Sequence, residues 1–101
     1  MITASNFREV VRNTLRGFCT LVLLPSGIVL HGCAYHQRDN QRWISLPSKS
    51  QIDSDGRQRR DLVTNKVLWT PVVEIRGKAE RERFQAAALA AIDKLLGQST
   101  R

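Results

Sequence analysis

Residues 16–46 read RGFCTLVLLPSGIVLHGCAYHQRDNQRWISL. Arg16 to Leu24 is dense in apolar and β-forming residues, with Phe18, Cys19, Leu21, Val22 and Leu23 in one short run. Pro25-Ser26-Gly27 follows, a turn signal in which proline presets φ and glycine accepts a positive value. Ile28 to Gln37 is β-prone again, so the two runs are read as a β-hairpin. Asp39-Asn40 marks the next turn. Gln41 to Leu46 then gives a further strand, ended by Pro47, which has no N–H to offer a ladder.

Working outward from this hairpin, Phe7 to Asn13 reads as a short strand in which Arg8, Val10 and Arg12 alternate, with a frayed helix as the alternative. On the other side, Ser48 to Lys66 is polar and carries the turn signal Asp55-Gly56, so a long loop is expected; loops of this length in small domains usually have a function or move. Val67 to Ile75 is the last expected strand, with Pro71 restricting it to an edge or a bulge. Lys78 to Leu96 has the helical period: Phe84, Ala87, Ala88, Ala91, Ile92, Leu95 and Leu96 recur at steps of three and four. Arg81, Glu82, Gln85 and Asp93 are placed on the opposite face. Glu80, Glu82 and Lys94 suit the helix dipole, and Gly97 is read as the residue that ends the helix.

The expected architecture is α+β: a small antiparallel sheet of about five strands in a meander, followed by one C-terminal helix. Residues 1–101 are read as a single domain, with the sheet in 7–75, a loop at 48–66 and the helix at 78–96. Leu21, Leu23, Val29 and Ile44 are assigned to the face away from the core, against Val22, Leu30 and Trp43. Apolar residues on both faces imply that the second face is also covered, and a second copy of the chain is the expected cover, as a two-fold homodimer.

Sixteen Lys and Arg face nine Asp and Glu, for a formal net charge of +7 and an isoelectric point near 10.5. Most of the cations are arginine, whose planar fork gives phosphate two parallel hydrogen bonds. A basic balance of this size favours a polyanionic partner. At 42% hydrophobic residues the chain has enough apolar content to fold. Leu21 to Leu24, the longest apolar run, is far too short to span a membrane. Met1 to Asn6 lacks the basic and apolar regions of a secretory leader, so a cytoplasmic location with Cys19 and Cys33 reduced is expected.

Several of these pieces, taken in order, resemble the SpoVG family (stage V sporulation protein G). They are the hairpin ending Ile28-Val29-Leu30-His31, the strand Trp43-Ile44-Ser45-Leu46, Pro47-Ser48-Lys49, then Asp55-Gly56 and Arg60-Asp61, and Arg76-Gly77-Lys78 at the start of the helix. The resemblance covers about the middle half of the chain and the helix start. It implies a small antiparallel sheet with a C-terminal helix, dimerisation through strands, and binding to DNA, sometimes RNA, in bacterial regulation. A basic pair after Pro-Ser is implicated in DNA contact in that family. Lys49 matches the first member, while Ser50 stands where the second would be, with Arg57, Arg59 and Arg60 further along. Val67 to Ile75 is an addition to the family pattern, so the chain reads as a divergent relative of bacterial or phage origin.

The candidate nucleic-acid contacts are Lys49, Arg57, Arg59, Arg60 and Lys66 in the polar segment, Arg76 before the helix, and Arg42 with Trp43 for bases. Arginines displace the counterions that phosphates hold, and an aromatic ring beside them can stack on a base. The plainer reading makes Trp43 and Trp69 core or dimer residues. Single strands are the preferred ligand, since no helix suited to the major groove is present; Whirly-type single-strand binders share the sheet-then-helix order. His31, Cys33, His36 and Cys19 fit no closed zinc spacing, so no metal and no cofactor are expected. No set of residues fills the nucleophile, base and stabiliser roles, so the chain is not read as an enzyme. The alternative class is a protein-interaction or structural module whose charge serves only solubility.

Overall fold

A computed structural model describes residues 1–99. Four strands, β1 (Ile2–Arg12), β2 (Leu15–Leu23), β3 (Ile28–Arg38) and β4 (Gln41–Ser45), form one antiparallel sheet in the order β1-β2-β3-β4. A second, two-stranded sheet pairs β5 (Ser48–Ser50) with β6 (Trp69–Pro71), and the chain then enters α1 (Lys78–Ser99). The α+β arrangement is that expected from the sequence: a meander of antiparallel strands and one C-terminal helix.

Short turns make the meander possible. Asn13 between β1 and β2 and Asp39 between β3 and β4 take φ of 55° and 54°, which Asn and Asp tolerate better than most side chains. Gly17 sits where β1 and β2 come closest: a Cβ there would lie 2.5 Å from the Phe7 ring and 2.7 Å from the Arg8 carbonyl oxygen. Only glycine lets Phe7 lie over β2, where it meets Tyr35 edge-to-face.

The helix lies on one face of the four-stranded sheet. Its Phe84, Ala88 and Ile92, at four-residue steps, are buried against Cys19, Leu21, Leu30, Cys33, Tyr35 and Ile44. Ile2, Ala4, Phe7, Leu23 and Leu46 close the periphery of this core.

The register revises the assignment of faces. Leu21 pairs with Leu30 and Val22 with Val29, so Leu21, Leu30 and Ile44 all face the helix, while Val22, Val29 and Trp43 lie on the other side. The cause is an irregularity between Cys19 and Leu21 opposite Leu30–Cys33, where β3 carries one extra residue and Gly32 takes a φ of 72°. A strict two-residue alternation through β3 therefore fails. Other boundaries shift too. β1 begins at Ile2 rather than Phe7, carried past a break at Asn6 (φ 53°). Of the expected strand 67–75, only Trp69–Pro71 is strand. The helix runs through Gly97 to Ser99. No described helix is long and apolar enough to cross a membrane.

Candidate nucleic-acid interface

Residues 48–71 are folded, although the sequence predicts a long loop over 48–66. β5 and β6 form the base. Beyond it, Arg59 N–H donates to the Gln51 carbonyl, Leu68 N–H to the Arg59 carbonyl and Gln51 N–H to the Leu68 carbonyl, so three backbone segments meet. Isolated bridges pair Ile52 with Gln58 and Arg60 with Val67. The chain reverses twice within this ribbon. In the first turn the Asp53 carboxylate accepts the N–H groups of Asp55 (2.9 Å) and Arg57 (3.0 Å). In the second, the Asp61 carboxylate accepts those of Val63 (2.8 Å) and Thr64 (2.9 Å). Those two bonds hold the Asp61 carboxyl below its usual range, that from Thr64 contributing most.

Asp53 and Asp61 serve the backbone and form no ion pair with the neighbouring arginines. Among the described residues the ion pairs are Arg42–Asp93, Lys78–Glu82 and Arg83–Glu80, none of them in the ribbon. Lys49, Arg57, Arg59, Arg60 and Lys66 are all exposed. Arg59 donates to Gln51 Oε1 (3.2 Å) and Arg60 to the Asn65 carbonyl (3.0 Å), neutral acceptors that orient a guanidinium without cancelling its charge. The ribbon thus gathers five of the residues singled out in the sequence.

Arg42 is placed differently from the ribbon cations. Its guanidinium forms a bidentate pair with Asp93 of α1, at 2.5 and 3.1 Å, and also donates to the Tyr35 hydroxyl (3.4 Å). The bonds to Asp93 and then Tyr35 hold it more firmly protonated than a free arginine. Arg42 faces the helix because it shares a strand face with Ile44, so it does not stand beside Trp43 as a base contact. Arg76 lies apart from the ribbon as well. It lines a cleft of about 600 Å³ between the end of β4, the segment before α1 and the first helical turns, with Arg81, Phe84 and Gln85.

Trp43 lies on the sheet face away from the helix, stacked on His36 across β3–β4 with ring centres 5.2 Å apart and planes within 4°. His36 is hydrogen-bonded to Thr14 Oγ1 at 3.0 Å, and burial lowers its pKa. Arg8 lies over the Phe18 ring at 5.8 Å, and Phe18 pairs with Ala34. Arginine and aromatic rings therefore share this face, an arrangement that can stack on bases and attract phosphates. Arg8, Phe18 and His36 were missed from the sequence. The signal was present in the alternating Arg8-Val10-Arg12, but which face those arginines join depends on the breaks in β1 pairing.

Cys19 and Cys33 face each other across β2–β3, both buried and unbridged. Burial, then the neighbouring Cys19, pushes the Cys33 thiol up to about 12. Among the described residues no three His, Cys, Asp or Glu side chains gather as a metal site. Compared with protein-family models, curated proteins and solved structures, the chain matches none.

Proposed function

We propose that this chain is a non-catalytic nucleic-acid-binding protein that acts as a dimer, with Lys49, Arg57, Arg59, Arg60 and Lys66 of the ribbon on phosphates. The reading rests on one observation: among the described residues the ribbon's exposed arginines form no ion pair, while the carboxylates of Asp53 and Asp61 accept backbone N–H groups. Counterion release from phosphates supplies the affinity of such a surface. The Trp43–His36 stack and the Arg8–Phe18 pair favour single-stranded DNA or RNA, whose bases can lie on rings. The order Pro47-Ser48-Lys49, Asp55-Gly56, Arg60-Asp61, which resembles the SpoVG pattern, is in keeping with the same reading and with a bacterial or phage role in regulation or DNA metabolism.

The dimer is assigned to the outer edge of β1, which among the described residues ends the sheet with no strand beside it, whereas Gln85 caps the edge of β4 at Ile44. That free edge equally favours a second reading, a protein-interaction module that takes a partner's strand. Fluorescence polarisation with short single- and double-stranded DNA and RNA decides between them. Binding at low salt that weakens steeply as salt rises is the expected result. No binding to any of the four at low salt leaves the interaction module.

A further inference from the structure

The second turn of the ribbon carries a feature that phosphate binding does not require. Leu62 and Val63, adjacent aliphatics, are 102% and 93% exposed at its tip. The turn is rigidly built. Asp61 N–H donates to the Lys66 carbonyl (2.8 Å) and Asn65 N–H to the Asp61 carbonyl (2.8 Å). The Asp61 carboxylate holds the amides of Val63 and Thr64, and the Arg60 guanidinium spans to the Asn65 carbonyl. Arg60 and Lys66 flank the turn on its two sides, next to the bridge between Arg60 and Val67.

We propose that Leu62 and Val63 are an apolar wedge that inserts between neighbouring bases of a bound strand while Arg60 and Lys66 hold the flanking phosphates. This deepens the nucleic-acid reading and rests on it. Exposing two aliphatics together at a braced tip is unfavourable in water and is repaired by an apolar slot. The flanking cations select a polyanion as the host of that slot. Apolar side chains inserted between base steps are an established means of unstacking and kinking a duplex. A lipid surface is disfavoured, because membrane affinity grows with buried apolar area and two residues offer little of it.

The test uses the full chain and a double variant, Leu62→Ser with Val63→Ser, on oligonucleotides carrying 2-aminopurine between adenines, single-stranded and duplexed. Both side chains are solvent-exposed, so the fold is expected to persist, checked by an unchanged thermal melt. The unaltered chain should raise the fluorescence at saturation as the probe unstacks. The double variant should bind about tenfold more weakly, with the same salt dependence and no rise. A variant that binds and raises the fluorescence like the unaltered chain overturns the wedge while leaving nucleic-acid binding intact. Tip-dependent binding to vesicles of anionic lipid, without a fluorescence change, overturns it in favour of a membrane contact. Failure of the unaltered chain to bind any oligonucleotide at low salt removes both readings together.

Discussion

The side-chain amide of Gln85 satisfies both backbone groups of Ile44: its Oε1 accepts the Ile44 N–H at 2.8 Å and its Nε2 donates to the Ile44 carbonyl at 2.8 Å. A helix residue thereby does at Ile44 what the next strand would do, and the edge of β4 is capped there. Gln85→Leu keeps apolar volume but leaves two partly buried backbone groups unpaired. It should cost about 1–3 kcal/mol in urea unfolding and speed amide exchange at Ile44. Unchanged stability together with unchanged exchange would show that the bonds matter little.

Arg42 and Asp93 tie the same strand to the same helix further along. Their side chains keep 32% and 55% of their accessibility, so water screens the pair and its worth is at most about 1 kcal/mol despite the bidentate geometry. Asp93→Asn should therefore destabilise by less than about 1 kcal/mol. It also releases the Arg42 guanidinium, so oligonucleotide affinity should hold or rise slightly. A marked fall in affinity would place Asp93 or Arg42 in the ligand site.

Asp61 sets the pH response of the ribbon's second turn. Its carboxyl is depressed in the folded chain by the Thr64 and Val63 amides. A depressed carboxyl contributes stability that is fully present above the ordinary value of 3.8 and is lost as pH falls through the lower folded value. Amide exchange at Val63 and Thr64 should accelerate relative to the rest of the sheet as the solution is acidified below that range. Asp61→Asn, which retains an oxygen acceptor, should remove this pH dependence, and Asp61→Ala should loosen the turn at neutral pH. Uniform exchange across the chain at low pH would contradict the assignment.

Much of this fold is legible in residues 16–46 and 78–96, because each segment has one strong local signal. The hairpin has dense β-formers around Pro25-Ser26-Gly27, and the helix has Phe84, Ala88 and Ile92 on one stripe. Gln85 was placed on the solvent face for its polarity. In helical projection it falls between Ile92 and Leu96, and only the open edge of β4 gives its amide a use. The ribbon escaped because its order comes from backbone bonds among residues of low β-propensity, anchored by Asp53 and Asp61, which read locally as charges. The ion pair of Arg42 escapes a sequence reading for a related reason: its partner Asp93 is 51 residues away, and no local pattern announces it. The grouping of Lys49, Arg57, Arg59, Arg60 and Lys66 is visible in the sequence as a basic segment, but not the engagement of Asp53 and Asp61 by backbone amides within it.

The most direct measurement is the slope of log affinity against log salt for a short single-stranded oligonucleotide, taken for the unaltered chain and for a variant with Arg57, Arg59 and Arg60 all replaced by alanine. Each phosphate contact contributes about 0.7 to that slope on a single strand, so the triple variant should bind more weakly with a slope shallower by about 2. Equal slopes and equal affinities for the two proteins would contradict the assignment of the ribbon arginines to phosphate.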